Sequence, residues 1–553
     1  MGLELFNKRS HPQLFRRLSD EYFDLVIIGG GITGVSIFRD AALRGMRVAL
    51  VEAHDFAAGT SGRSSKLIHG GIRYLKNMNF RRVWESCHER NLHIRLNKRL
   101  VQPQPFLIPF YGDHGNSPIK WRVGMWLYEL MSGFKNYQYH RFLGTKDVLS
   151  IAPGLVGYGL VGGVLYYDAV VSDNRLTMET VKDGVRHGGL AINHASVTGF
   201  RKENNAIVGV TCSDEIGKST YRVRARAVVN ATGVWADPIR KLAQSEATNI
   251  VRLSRGTHLV FAQADVPLMV STVFLSPIDR RALFLIKREG CFLFGTTDEW
   301  VNTEPDAPIP HQPDVTYLLE SLRLFMPHCH LDTGKVQFVY SGFRAIPVDH
   351  GEPPDPSSAT REDYIEIAPS GLITVVGGKL STARIMAKRV LSKVIDAIGE
   401  SASWAPCQTD KLPIGGSNEE IDEGQKRWSR QCPRLTKYFQ TLYERYGLDA
   451  DSICAESSQS YFDQESNHRI ELLRPEFEYL CRNEMVCTLE DLMERRIGFL
   501  HWNNERRLAM LRSVKNIVQN ELNTSPEEFE EAYREYTLHL KQFHTLPESA
   551  STM

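Results

Sequence analysis

The chain has 553 residues, enough to bury a large core and to divide into two or three domains. Its 66 basic and 65 acidic residues leave a formal charge of +1, so no global field draws in nucleic acid or an anionic surface, and any affinity for anions must be local. Nine scattered cysteines, odd in number and without metal-ligand spacing, read as reduced thiols of a cytoplasmic protein that holds no metal. Lys8, Arg9, Arg16 and Arg17 precede no apolar signal core, and eighteen apolar residues never run together. That pattern excludes a spanning helix and leaves room for peripheral contact with the cytoplasmic membrane face.

In chain order, residues 24 to 52 read as one βαβ unit. Apolar strands at Leu25–Ile28 and Val48–Val51 flank a helix over roughly 32 to 45. The turn between them, Gly29-Gly30-Gly31-Ile32-Thr33-Gly34, carries a G-x-G-x-x-G pattern. Gly29, Gly31 and Gly34 let backbone amides approach a pyrophosphate at a helix N-terminus, where the dipole favours negative charge. Glu52 ends the second strand at the spacing where a carboxylate accepts from the adenosine ribose hydroxyls. A 2'-phosphate is disfavoured there, and NAD and FAD both fit.

From about 190 to 345, β-branched and aromatic runs such as Tyr221–Val229, Leu259–Phe261 and Phe292–Phe294 alternate with turn residues and predict an antiparallel sheet. After Gly377-Gly378, the spacing of Met386, Val390, Leu391, Val394 and Ile395 predicts a long helix. Residues 401 to 420, with Pro406, Pro413, Gly415 and Gly416, read as a linker. The tail beyond, to about 545, reads as helical. Its clearest helix has Ser525 as N-cap, Pro526 in the first turn and Glu528 closing a capping box, with Phe529, Tyr533, Tyr536 and Leu540 on one buried face.

The run Thr60-Ser61-Gly62-Arg63-Ser64-Ser65-Lys66-Leu67-Ile68-His69-Gly70-Gly71-Ile72-Arg73-Tyr74-Leu75 resembles the signature of FAD-dependent glycerol-3-phosphate dehydrogenases and oxidases. Further matches follow in order: Asn230 to Trp235 with Asp237, Gly256-Thr257-His258, Gly295-Thr296-Thr297-Asp298, Ser341-Gly342-Phe343-Arg344, and Gly377 to Arg384. The resemblance covers roughly residues 20 to 400 and continues more weakly at Glu490 to Arg496. It implies an α/β fold of the two-dinucleotide-binding-domain flavoprotein class. An FAD-binding domain over 20 to 400 would hold an inserted substrate region at about 80 to 170 and 240 to 345, with a C-terminal helical domain after 421. The segment Val228 to Gly233 resembles the small-residue turn that such flavoproteins place near the cofactor, which decides for FAD and brings in Ala231 and Gly233.

The resemblance also implies roles. Thr60, Ser61, Ser64 and Ser65 offer donors to the cofactor's diphosphate and ribityl oxygens, and Lys66 adds charge nearby. A phosphate dianion calls for fixed cations, for which Arg73, Arg344 and Lys379 are the candidates, with Tyr74 beside them. Lys379, with Gly378 and Leu380, can serve the flavin instead. Oxidation of a secondary alcohol needs a base as well as a hydride acceptor. His258 is favoured as that base, with His69 shaping the flavin environment and Thr296 orienting substrate or flavin.

Two departures stand out. Many members have proline where Ala345 follows Arg344, and a tyrosine where this chain has Ala383, so more local space and a longer or different carbon skeleton are expected. The leading expectation is oxidation of sn-glycerol 3-phosphate with electrons passed to a quinone; a peripheral membrane site and a homodimer are compatible with it. The same motifs serve an oxidase using dioxygen, or a dehydrogenase of another phosphorylated polyol. A flavin-binding sensor or assembly subunit has little reason to keep the cations and histidines, and an amino-acid oxidase would need a single carboxylate clamp.

Overall fold

The computed structural model describes residues 3–72, 79–112, 118–306, 308–348, 356, 363–399, 404–462 and 469–547. Two sheets organise the body.

The first is built on Tyr22–Ile28, whose burial on six of seven positions marks it as central. It pairs in parallel with Val48–Val51 on one side, Leu25 opposite Val48, and with Thr220–Asn230 on the other, Ile28 opposite Asn230. Leu190–Ile192 extends one edge in parallel, and Ile373–Val376 with the antiparallel Tyr364–Ile367 extends the other. The helix Ile32–Leu43 crosses between the first two strands and packs against the helices Asp173–Arg186 and Ala383–Ile398. This is a doubly wound nucleotide-binding layer, whose ligand crevice lies at the carboxyl ends of the strands.

The second sheet has ten strands. Its spine is the long antiparallel pair Val251–Ala262 and Val336–Pro347, with Cys291–Gly295 on the other side of the former. Through Ala282–Arg288 and Ser271–Leu275 the sheet continues to Val101–Tyr111 and Leu160–Val171.

The antiparallel sheet expected from about 190 to 345 forms between Val251 and Pro347, and only its start is corrected. Strands between 190 and 230 belong to the nucleotide layer, including the meander Ala195–Glu203 and Ala206–Asp214 that pairs onto Thr220–Asn230. The second sheet begins much earlier, at Leu67–Ile68. Composition identifies strands but not the sheet each one joins.

After Ala383–Ile398, residues 404 to 417 run without regular structure yet are pinned, with Arg39 donating to the Leu412 and Pro413 carbonyls. Helices from Asn418 to Phe543 enclose their own core around Phe439, Tyr443, Leu480, Leu511 and Phe529. The capping box at Ser525 and Glu528 forms, and Phe529, Tyr536 and Leu540 are buried while Tyr533 is half-buried.

The tail is locked to the body by buried ion pairs. Asp55, immediately beyond the Glu52 strand, accepts from Arg495 at 2.6 Å and from Arg496 at 2.7 and 2.8 Å, and the Asp55 and Arg496 side chains are fully buried. Glu484 binds Arg175 at 2.7 Å and Lys182 at 2.8 Å.

Candidate active site

The strand ends of both sheets border one cleft of about 620 Å³. On the nucleotide side, Gly29 at φ +110° brings the turn so close to the next strand that a Cβ would lie 2.7 Å from the Ala231 carbonyl oxygen. A Cβ on Gly34 would lie 1.8 Å from the Gly29 carbonyl oxygen, so that glycine permits the helix to approach the strand and does not itself line the cleft. Glu52 accepts from the Gly30 amide at 2.5 Å and the His54 amide at 2.8 Å, with its carboxylate at the cleft wall.

The Thr60 to Lys66 loop crosses the cleft with its hydroxyls already engaged. Thr60 donates to the Phe343 carbonyl at 2.6 Å, Ser61 accepts from the Ile32 amide at 2.8 Å, and Ser64 donates to Asp173 at 2.7 Å. Ser65 shares a hydrogen bond with His258 Nε2 at 2.9 Å. All four line the cleft, but their side chains also set the loop's shape. Lys66 turns its ammonium away from the cleft. Its ammonium is buried against Asp173 at 2.5 Å and the Gly62 carbonyl at 3.1 Å and lies outside the cleft lining, because desolvation is tolerable only beside that carboxylate.

One wall of the cleft is a face of the strand Val251–Ala262, on which Ser254, Gly256 and His258 alternate. Arg344, from the paired strand, lies across Gly256, where a Cβ would meet its guanidinium at 2.3 Å. The guanidinium is bound at 2.9 Å to Asp298, which is itself buried and held by the Ser254 hydroxyl, and at 3.0 Å to the Thr296 hydroxyl. Asp298 and Ser254 were not singled out from the sequence; Asp298 ends a matched motif, and Ser254 lies two residues before one and carried no signal.

His258 is buried, stacked on Tyr340 with ring centroids 4.9 Å apart. Burial first, then the charges of Arg344 and Lys66, hold its pKa well below the usual 6.5, so the imidazole is neutral at physiological pH. His69, Thr296, Ala231, Gly233, Gly378, Lys379 and Leu380 also line the cleft. Arg73 and Tyr74 lie outside the described residues. Ala345 lines the cleft but Ala383 does not: it is buried beside a chamber of about 30 Å³, where Arg384 pairs with Glu89. The expected widening at that position therefore falls in the helix packing and leaves the cleft unchanged.

The cleft fits a dinucleotide. Glycines clear the approach to the helix N-terminus at Ile32, an acid stands at the second strand's end, and Ser381 Oγ and His258 Nδ1 are buried without a hydrogen-bond partner in a cleft they line.

Fold and cleft together define an FAD-dependent oxidoreductase. Residues 24–390 match the family described as FAD dependent oxidoreductase, and residues 407–529 match the C-terminal domain of alpha-glycerophosphate oxidase. The aerobic glycerol-3-phosphate dehydrogenase of Staphylococcus aureus (strain MRSA252) is 32% identical over 547 residues, 97% of this chain and 96% of that protein. That of Bacillus subtilis (strain 168) is 32% identical over 526 residues, 93% of each. The glycerol-3-phosphate dehydrogenase structure from Bacillus halodurans, complexed with FAD, superposes with a TM-score of 0.80 at 28% identity, covering 97% of this chain and 98% of that one. The chain belongs to the family of FAD-dependent, aerobic glycerol-3-phosphate dehydrogenases.

Proposed function

We propose that the protein oxidises sn-glycerol 3-phosphate at its secondary alcohol to dihydroxyacetone phosphate and passes the electrons to a quinone. The observation that carries this reading is the strand face on which Arg344, seated over Gly256, adjoins the neutral His258.

When bound, FAD supplies the acceptor for the C2 hydride at its N5. Glu52 and the Gly29 to Thr33 turn would hold the adenosine ribose and the diphosphate, and Lys379 and Leu380 would border the flavin. The Arg344 fork pairs with the substrate phosphate, fixed in direction by Asp298 and Thr296, with Arg73 as a second cation. His258 accepts the hydroxyl proton at Nε2, the nitrogen that faces Ser65. A dianion beside Arg344 offsets the positive field on His258 and strengthens it as a base, so the phosphate assists the chemistry as well as binding. His69 shapes the environment of the flavin.

Peripheral membrane contact has a specific support. The helix Pro118–Met131 exposes Val123, Trp126 and Leu130, Phe134, Tyr137 and Tyr139 are exposed just beyond it, and Trp84 is exposed on the helix Phe80–Leu96 that contacts it. Arg81, Arg122, Lys135 and Arg141 are exposed among them. Aromatic rings flanked by cations suit the headgroup boundary of an anionic bilayer. Among the described residues, no helix is long and apolar enough to cross a membrane.

Turnover with a soluble quinone and with dioxygen as sole acceptor tests the electron route. Reduction of the quinone without matching peroxide supports the dehydrogenase; stoichiometric peroxide from dioxygen would make the protein an oxidase.

A further inference from the structure

Ser65 links the cleft to the base. It lines the cleft, its hydroxyl lies 2.9 Å from His258 Nε2, and among the described residues that hydroxyl has no other hydrogen-bond partner. The second ring nitrogen, Nδ1, is buried with no partner.

The pair is held from both sides. Tyr340 stacks on the His258 ring with centroids 4.9 Å apart and donates its own hydroxyl to the Ser64 carbonyl at 2.7 Å. One tyrosine therefore fixes both the imidazole and the loop that carries Ser65. Before Ser65, the Ser64 amide and hydroxyl donate to Asp173 at 3.2 and 2.7 Å. After it, Lys66 adopts φ +55°, a left-handed conformation that a lysine rarely takes, and its ammonium ties that turn to the same carboxylate at 2.5 Å. Gly342 lets the loop come this close, since a Cβ there would lie 2.8 Å from the Arg63 Cβ and 2.9 Å from the Arg63 carbonyl oxygen. Ser65 Oγ is thus placed by its neighbours' bonds, which leaves its hydroxyl for His258 and the cleft.

That placement decides a proton route. A neutral imidazole has one acceptor nitrogen, and at Nε2 its lone pair is already met by Ser65. A substrate hydroxyl cannot reach Nε2 while the pinned loop holds Ser65 there, but Ser65 Oγ, in the cleft lining, can accept from it.

We propose that Ser65 is a catalytic residue that relays the substrate's proton: the C2 hydroxyl donates to Ser65 Oγ while Ser65 gives its own proton to His258 Nε2. The inference rests on the reading of substrate and base given above. As the substrate O–H bond breaks and the hydride leaves C2 for FAD, the ketone forms, Ser65 exchanges one proton for another and ends neutral, and His258 ends as the imidazolium. Nδ1 carries the ring proton throughout, an N–H suited to the acceptor-rich edge of a flavin.

The test is anaerobic stopped-flow reduction of the FAD-loaded full chain by sn-glycerol 3-phosphate deuterated at C2, so that hydride transfer sets the rate, in H2O, in D2O and in mixtures of the two. In the wild type the rate is expected to fall along a bowed curve as the D2O fraction rises, because two protons move with the hydride. S65A is expected to keep its FAD and, within about threefold, its substrate dissociation constant, while its reduction rate falls about 10²-fold. S65T restores a hydroxyl and is expected to regain roughly tenfold of that loss. A straight-line dependence on D2O in the wild type overturns the relay, since it reports a single proton. A full rate per bound flavin in S65A overturns it as well, by showing that the substrate reaches Nε2 directly. A wild type that the substrate fails to reduce overturns the substrate reading and the relay together, whereas either of the other two results leaves that reading standing.

Discussion

Arg344 owes its position to neighbours that never need to touch substrate. Gly256 leaves it room, and Asp298, held by Ser254, aims it. R344Q is expected to lower kcat/KM for the phosphorylated substrate by about 10²- to 10³-fold, the scale of removing one partner of a charged hydrogen-bonded pair. D298N keeps the cation but loosens its aim, so KM is expected to rise about tenfold with a smaller change in kcat. Steady-state kinetics on FAD-replete variants measure both; an unchanged KM in D298N would show that Arg344 is positioned by other contacts. H258N is expected to lose about 10²- to 10⁴-fold in kcat while retaining FAD, the range of general-base catalysis. At this scale the sequence shows which residues enter the cleft but not what they are tied to. Lys66 is the clear example: its ammonium is paired with Asp173, 107 positions away, which no local pattern could show. Ser65 likewise faces a histidine 193 positions away.

The segment Glu490 to Arg496 joins the tail to the nucleotide layer, and Asp55 is where the join meets the cofactor side. D55A leaves Arg495 and Arg496 without their shared carboxylate, which is expected to destabilise the fold by about 3–5 kcal/mol. Thermal melts and FAD retention after gel filtration measure this; unaltered melting and cofactor content would mean that the tail docks by apolar packing alone. Local elements were legible because their signals are local. The glycine turn, the strand Val48–Val51 and the Ser525 capping box all form where the pattern places them. Val101–Tyr111 is a strand of eleven residues that no such signal revealed, since Pro103, Pro105 and Pro109 argue against regular pairing. All three fall on odd positions, so their missing amides lie on one edge of the strand.

At the scale of the whole molecule, buried histidines set the acid limit of stability. His258, His93 and His544 are all held below the usual 6.5, His93 at about 4 and His544 at about 3, each chiefly by burial. Below pH 6.5 the unfolded chain binds protons that the native state refuses, so stability is expected to fall as pH drops from 6.5 towards 4. Asp491 holds the pKa of His194 above 6.5 against the effect of burial, so that contribution is lost instead as pH rises through the folded value. Melting temperature against pH should therefore drop steeply on the acid side; a flat curve from pH 7 to 4 would contradict the neutral burial of these rings. The exposed aromatic belt makes a separate prediction. V123E with W126E is expected to abolish sedimentation with anionic vesicles while leaving quinone reduction in detergent unchanged, and retained sedimentation would place membrane contact elsewhere.

The central claim is that the Arg344 and His258 wall presents a phosphorylated secondary alcohol to FAD. Anaerobic titration of the purified protein with sn-glycerol 3-phosphate, following the oxidised-flavin absorbance band, tests it most directly. The account predicts bleaching by that substrate and none by glycerol or the enantiomeric phosphate. A yellow protein that stays oxidised under saturating sn-glycerol 3-phosphate would contradict it.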